Sequence, residues 1–130
     1  MDPGGQLLVY QPVKRPHSLS FGVKGEDIAV QYLLKKGYTL VERNWRFHHK
    51  EVDIVARDGP DLVFIEVKTR SSEWFGAPEE AVGYRKQQFL SLAAQAFVAF
   101  RNLDVNIRFD VISIILRQGY QSVDHIKDVF

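Results

Sequence analysis

Apolar positions along the chain change period several times, and those changes predict the elements. From about Ser20 to Lys36, Ala29, Tyr32, Leu33 and Lys36 recur at helical spacing, and Gly37 supplies the stop signal. Tyr38–Phe47 reads as a strand. Two more strands, roughly Glu51–Arg57 and Leu62–Thr69, flank Asp58-Gly59-Pro60-Asp61, so this pair is predicted to be a hairpin. Ser71–Pro78 reads as a loop. From Glu79 to about Arg101, Val82, Phe89, Ala93, Ala96, Phe97 and Phe100 define a long amphipathic helix opened by Pro78 and two glutamates. Val105–Leu116 is a β-branched strand, and Tyr120–Val123 a short last one. Residues 1–17, with Pro3, Pro12 and Pro16 and no sustained period, are expected to form a flexible arm, leaving 18–130 as one domain. The order of helix, three strands, helix and one or two strands implies an α/β sandwich with a mixed central sheet.

The hairpin carries the first chemical signal. A turn symmetric about Gly59-Pro60 sets Asp53 directly opposite Glu66. Alternation puts Glu51 and Val55 on the face of Asp53, and Phe64 and Lys68 on that of Glu66. Val52, Ile54, Val63, Ile65 and Val67 are then expected to line the opposite face. Facing carboxylates with Cβ atoms ~5 Å apart destabilise a strand pair. A divalent cation turns that repulsion into ligation, and hard oxygen ligands suit Mg²⁺ or Mn²⁺. The bland alternative is a solvated polar face with a Glu51–Lys68 ion pair. On the helices, Lys86 falls near the centre of the apolar stripe between Val82 and Phe89, and Glu26 lies close to the inward face near Ala29 and Leu33. Each has a structural reading too: Lys86 can snorkel, and a first-turn Glu complements the helix dipole. Taken together, two inward charges on the helices and three on the hairpin suggest one polar site cut into a sheet face, suited to phosphodiester hydrolysis.

Composition narrows the field. The chain has 130 residues, 17 Lys+Arg, 16 Asp+Glu and no Cys, which excludes disulfides, thiolate metal sites and a thiol nucleophile. That is compatible with a cytoplasmic location. No apolar run approaches the ~18 residues of a membrane helix, so no membrane partner is expected. Leu7–Tyr10 is too short for a signal-peptide core. Net charge +1 argues against a polycationic coat. Residues 1–50 carry eight basic and four acidic side chains, however, and residues 51–130 nine and twelve.

Gly25-Glu26, Gly37-Tyr38, Asn44-x-Arg46, Glu51-Val52-Asp53-Ile54-Val55, Phe64-Ile65-Glu66-Val67-Lys68-x-Arg70, Gly76, Lys86, Arg108-Phe109-Asp110-Val111 and the closing His125–Phe130 form an ordered set. In these residues the chain resembles the YraN-like bacterial proteins. They belong to the restriction-endonuclease-like PD-(D/E)XK nuclease superfamily, which includes archaeal Holliday-junction resolvases. The resemblance implies a three-layer α/β/α sandwich with an αβββαβ core and a Mg²⁺-dependent (or Mn²⁺-dependent) endonuclease site. It implies Glu26, Asp53 and Glu66 as metal-binding acids, Lys68 as the catalytic lysine, Lys86 as an auxiliary charge and Arg70 as a phosphate contact. Arg46 and Lys50 are further candidates for nucleic-acid binding. The expected partner is nucleic acid, DNA before RNA, with branched or structured DNA in repair or recombination as the substrate class. Resolvases dimerise, which makes a homodimer a candidate assembly. Two departures stand out: Val52 replaces the proline that often precedes the first acid, and Lys50 stands where the family usually has glycine. The rival readings are a nucleic-acid-binding module of the same fold without turnover, and an interaction domain whose polar face is only solvated.

Other residues have simpler expectations. His48 and His49 would point to opposite strand faces, so a joint metal site is not expected. Trp45 reads as a core anchor, and Trp74-Phe75 as a loop anchor or base-stacking pair. Asp110 is expected to pair with Arg108 rather than join the acidic cluster.

Overall fold

A computed structural model describes residues 20–72 and 82–130. Helix α1 (Phe21–Lys35) begins where Ser20 Oγ accepts the Val23 N–H at 3.1 Å. It ends in a Schellman motif: Gly37 takes φ 89°, its N–H bonds Leu34 O at 3.0 Å, and the Tyr38 N–H bonds Leu33 O at 3.0 Å. Strands β1 (Thr39–Phe47), β2 (Lys50–Asp58) and β3 (Asp61–Arg70) follow, then α2 (Tyr84–Phe100), β4 (Asn106–Arg117) and β5 (Tyr120–Ile126). Every expected element among the described residues is present, and the last strand is longer than its pattern suggested. Gly59 at φ 56°, followed by the fixed φ of Pro60, closes the β2–β3 hairpin in two residues.

The five strands lie in the order β1-β2-β3-β4-β5. Only β3 and β4 are parallel, and α2 makes the crossover between them that a parallel pair requires. Each face is covered by one helix. Ala29, Val30 and Leu33 of α1 pack on Leu40, Ile54, Val63, Ile65, Ile112 and Ile114. Leu90, Ala93, Ala94 and Phe97 of α2 pack on Val41, Val55, Leu62, Phe64 and Val111. These are the three layers the sequence implied.

Three expectations need correction. The second helix starts at Tyr84, because Gly83 forms an extended N-cap and Val82 lies before it. The residues expected to open it, Pro78-Glu79-Glu80, fall outside the described residues, as do Trp74-Phe75 and the arm. The buried stripe of α2 runs through Leu90 and Ala94, while Phe100 is 80% exposed beyond it. Val52, finally, does not join Ile54 but packs with Val55 and Phe64 under α2. Strict alternation fails at Asp53, across from Asn44, which sits in the left-handed region at φ 54°.

Gly25 lets α1 approach β3 closely. A Cβ there would clash with Thr69 Oγ1 and lie 2.7 Å from Thr69 Cγ2 and 2.8 Å from Thr69 Cβ. Since Thr69 Cβ is fixed to the main chain, the helix or the strand would have to move. Gly25→Ala is therefore expected to cost roughly 1–3 kcal/mol, outweighing most of its gain in helix propensity. A lower urea midpoint at unchanged slope, partly recovered by Thr69→Gly, is the measurement.

Candidate functional site

The site forms where two strands part. The β2–β3 pairing follows the expected register from Asp58↔Asp61 to Ile54↔Ile65 and stops there. One residue further, Asp53 Oδ2 accepts the Val67 N–H at 2.8 Å, so a side chain replaces the ladder's backbone acceptor. Beyond that point β2 pairs with β1 (Trp45↔Val52, Arg46↔Glu51), and β3 with β4 (Glu66↔Val111, Lys68↔Ser113).

Asp53 sits in this fork in a strained electrostatic state. Burial pushes its carboxyl up to about 7, and the neighbouring Glu66 and Glu26 charges push the same way. The Val67 N–H and the Lys86 ammonium oppose the rise. Glu66, in turn, is met by Lys86 Nζ at 3.1 Å. Lys86 lies in the first turn of α2, which holds no acidic residue, so its charge opposes the helix dipole and Glu66 offsets it.

Glu26 enters from α1, held by Arg43 Nε at 3.3 Å and Asn44 Nδ2 at 3.1 Å. Arg43 also bonds Asp27 at 2.6 Å. Asn44 and Arg43 are neighbours in β1, yet both reach Glu26, which the left-handed backbone at Asn44 permits. Arg43 reads in the sequence as one of several surface cations. The only signal for its neighbour was the Asn44-x-Arg46 motif.

The remaining candidates spread over two places. Lys68 is exposed, and Arg70 is half-buried two residues on. With Phe21, Thr69 and Ser71 they line a cavity of about 350 Å³. Arg46 and Lys50 lie at the β1–β2 hairpin end. There Arg46 Nη1 is 3.8 Å from Glu51 Oε2, so Glu51 pairs along its own hairpin rather than with Lys68. Lys50 Nζ lies over the Phe89 ring, 5.7 Å from its centroid. His48 and His49 form the two-residue turn of this hairpin, with His48 at φ 58°. Trp45 stacks on Phe47 and meets Phe97 edge-on, as a core anchor should.

The donor set fits a hard cation at Asp53 and Glu66: two half-buried carboxylates, with Asp53 held reluctant to ionise by desolvation and by the charges of Glu66 and Glu26. Among the described residues no three carboxylate or imidazole groups gather closely enough to hold an ion as they stand. Asp53 and Glu66 would hold the cation first, and Glu26 would join only by loosening its contacts to Arg43 and Asn44.

Asp110 lies outside this cluster, in a buried network of its own. Arg108 donates to it through Nε at 3.0 Å and Nη2 at 2.9 Å, and to Asp58 and Asp61 through Nη1 at 2.9 and 3.1 Å. The expected Arg108–Asp110 pair is thus present. His125 Nε2 lies 2.7 Å from Asp110, and its Nδ1 lies 3.0 Å from the Tyr32 hydroxyl. If Nε2–H donates to the carboxylate, Nδ1 of a neutral ring accepts from Tyr32.

An α/β sandwich whose mixed sheet forks beside Asp53 and Glu66-x-Lys68 belongs to the α/β class with a nuclease-like αβββαβ core. Within that class the chain belongs to UPF0102, an uncharacterised protein family whose sequence model matches residues 25–114. It is 47% identical to a UPF0102 protein of Geobacter metallireducens over 115 residues, covering 88% of this chain and 94% of the relative. A UPF0102 protein of Bacteroides thetaiotaomicron is 46% identical over 109 residues, covering 84% of this chain and 90% of the relative. One from Parabacteroides distasonis is 40% identical over 109 residues, with the same coverage. No described helix is long and apolar enough to cross a membrane.

Proposed function

We propose that this chain is a Mg²⁺- or Mn²⁺-dependent endonuclease that hydrolyses nucleic-acid phosphodiesters, with DNA as the first substrate to test. The observation that supports it best is Asp53: a half-buried carboxylate at a strand fork, within the field of Glu66 and pushed up to about 7. A fold gains nothing in stability from such a residue, and perturbed acids in clefts mark working sites. A bound cation would supply Lewis acidity at the phosphoryl oxygen and lower the pKa of a water.

The chain's own residues do the rest. Asp53 and Glu66 would hold the cation, and the Val67 N–H fixes the orientation of Asp53. Lys68, exposed on the same strand as Glu66, faces the scissile phosphate and stabilises charge as water adds and the phosphorus–oxygen bond breaks. Lys86, now paired with Glu66, would be free to meet a phosphate oxygen if Glu66 turned to a cation. Arg70 is placed for a flanking phosphate, and Arg46 and Lys50 for a more distant one.

The test is cleavage by purified protein with Mn²⁺ of labelled duplex, single-stranded, flapped and branched DNA, and of RNA. Metal-dependent cleavage should fall by at least a hundredfold in Asp53→Ala and Glu66→Ala. Cleavage that survives both substitutions would overturn the assignment. Salt-sensitive binding with no cleavage would favour a binding module without turnover.

A further inference from the structure

The cavity beside Lys68 is built differently from the acidic fork. Its walls are the Phe21 ring on one side and the end of β3, Lys68 to Ser71, on the other. Phe21 is the first residue of α1 and is 45% exposed. Two features hold it there. The Ser20 cap fixes the start of the helix, and the contact of Gly25 with Thr69 brings α1 against β3. Phe21 is the apolar residue of the lining, Thr69 and Ser71 are polar, Lys68 and Arg70 contribute cations, and Arg117 adds a third nearby through its bond to Ser71 O at 3.2 Å. The space is an open groove of about 350 Å³.

An exposed aromatic face with cations on one rim is the arrangement that takes a nucleobase by stacking and its phosphate by charge. In a continuous duplex every base face is covered by its neighbours. We propose that Phe21 is a stacking platform for an unpaired base next to the scissile phosphate, and that the protein binds a duplex with an unpaired tail in preference to a blunt one. This inference rests on the nuclease reading for the position of that phosphate, but it concerns binding and is tested without turnover.

The full chain is titrated in EDTA against three labelled DNAs: a blunt duplex, the same duplex with a short unpaired tail, and that duplex with abasic residues in the tail. Wild type and Phe21→Trp are expected to bind the tailed duplex about tenfold more tightly than the blunt one. The abasic tail should lose that preference, and in Phe21→Ala the ratio should fall to near one. A preference that survives Phe21→Ala, or an abasic tail that binds as well as a normal one, overturns the stacking role. If Mn²⁺-dependent cleavage is seen as well, the nuclease reading stands without it. Absence of both binding and cleavage on every substrate removes both readings. Should Phe21→Ala fail to fold, the abasic comparison in wild type decides alone.

Discussion

Asp53→Asn is expected to abolish metal-dependent cleavage and at the same time raise the stability of the apo protein at pH 8. Asparagine keeps the carbonyl oxygen that accepts from the Val67 N–H, so the fork is preserved. What disappears is a charge that burial, Glu66 and Glu26 all oppose. The folded-state value of about 7 lies above the ordinary 3.8, so between these two pH values the native chain binds more protons than the unfolded one. Stability in wild type therefore falls as pH rises from 4 to 7 and levels off above 7. A shift of one unit corresponds to about 1.4 kcal/mol, and with partial relief by solvent the expected gain for Asp53→Asn is roughly 2–4 kcal/mol at pH 8. Near pH 4 the two proteins should melt together. Mn²⁺ should close most of the gap at pH 8: at a hundred times its dissociation constant it stabilises wild type by about 2.7 kcal/mol and leaves the variant unmoved. Urea melts at pH 4 and pH 8, with and without Mn²⁺, contain the whole test. An Asn variant less stable than wild type at pH 8 would mean that Asp53 is a structural acceptor and nothing more.

The same residue shows how far sequence could reach. The hairpin register, and with it the closeness of Asp53 and Glu66, followed from turn chemistry at Gly59-Pro60, because a two-residue loop leaves no freedom in pairing. That the ladder stops one pair earlier was not legible. It depends on the Asp53 carboxylate replacing a carbonyl, a choice between two acceptors that strand patterns do not encode. The side change of Val52 has the same origin. By its apolar spacing Lys86 is an inward charge in mid-helix, whereas in the structure it is a first-turn residue. Gly83, which caps the helix there, is no stronger as a signal than Pro78-Glu79-Glu80. Arg43 and Asn44 were hidden because a left-handed backbone at Asn44 turns neighbours toward one carboxylate. Local periods reveal elements; the partners of individual polar groups are decided by tertiary contacts.

Asp110→Ala is expected to be the most destabilising single substitution at a polar position, by about 3–5 kcal/mol, because it leaves buried partners unpaired. The Asp110 side chain is wholly buried and holds together pieces distant in sequence. It accepts from Arg108 in its own strand, from His125 in β5 and from the Asp128 N–H at 3.0 Å in the C-terminal tail. The tail is fixed further by the Val129 N–H to Phe109 O at 2.8 Å and by Phe130 stacked on Phe109. Loss of the carboxylate would leave Arg108 with Asp58, Asp61 and Tyr38, but His125 and the Asp128 amide without an acceptor. The pH signature is opposite to that of Asp53. Burial alone would raise the Asp110 value, but hydrogen bonds from His125, Arg108 and Asp128 outweigh it and hold the carboxyl below the ordinary range. Its stabilisation is complete above the unfolded carboxylate value near 4 and is lost as pH falls through the lower folded value. The gap between wild type and Asp110→Ala should thus be widest at neutral pH and close in acid, whereas the gap for Asp53→Asn opens as pH rises from 4 to 7. Urea midpoints followed across pH 3–8 distinguish the two acids. If Asp110→Ala loses less than 1 kcal/mol at pH 7, His125 and the tail are held by packing instead. A variant that folds in a stabilising osmolyte but binds Mn²⁺ as wild type does would separate this network from the fork.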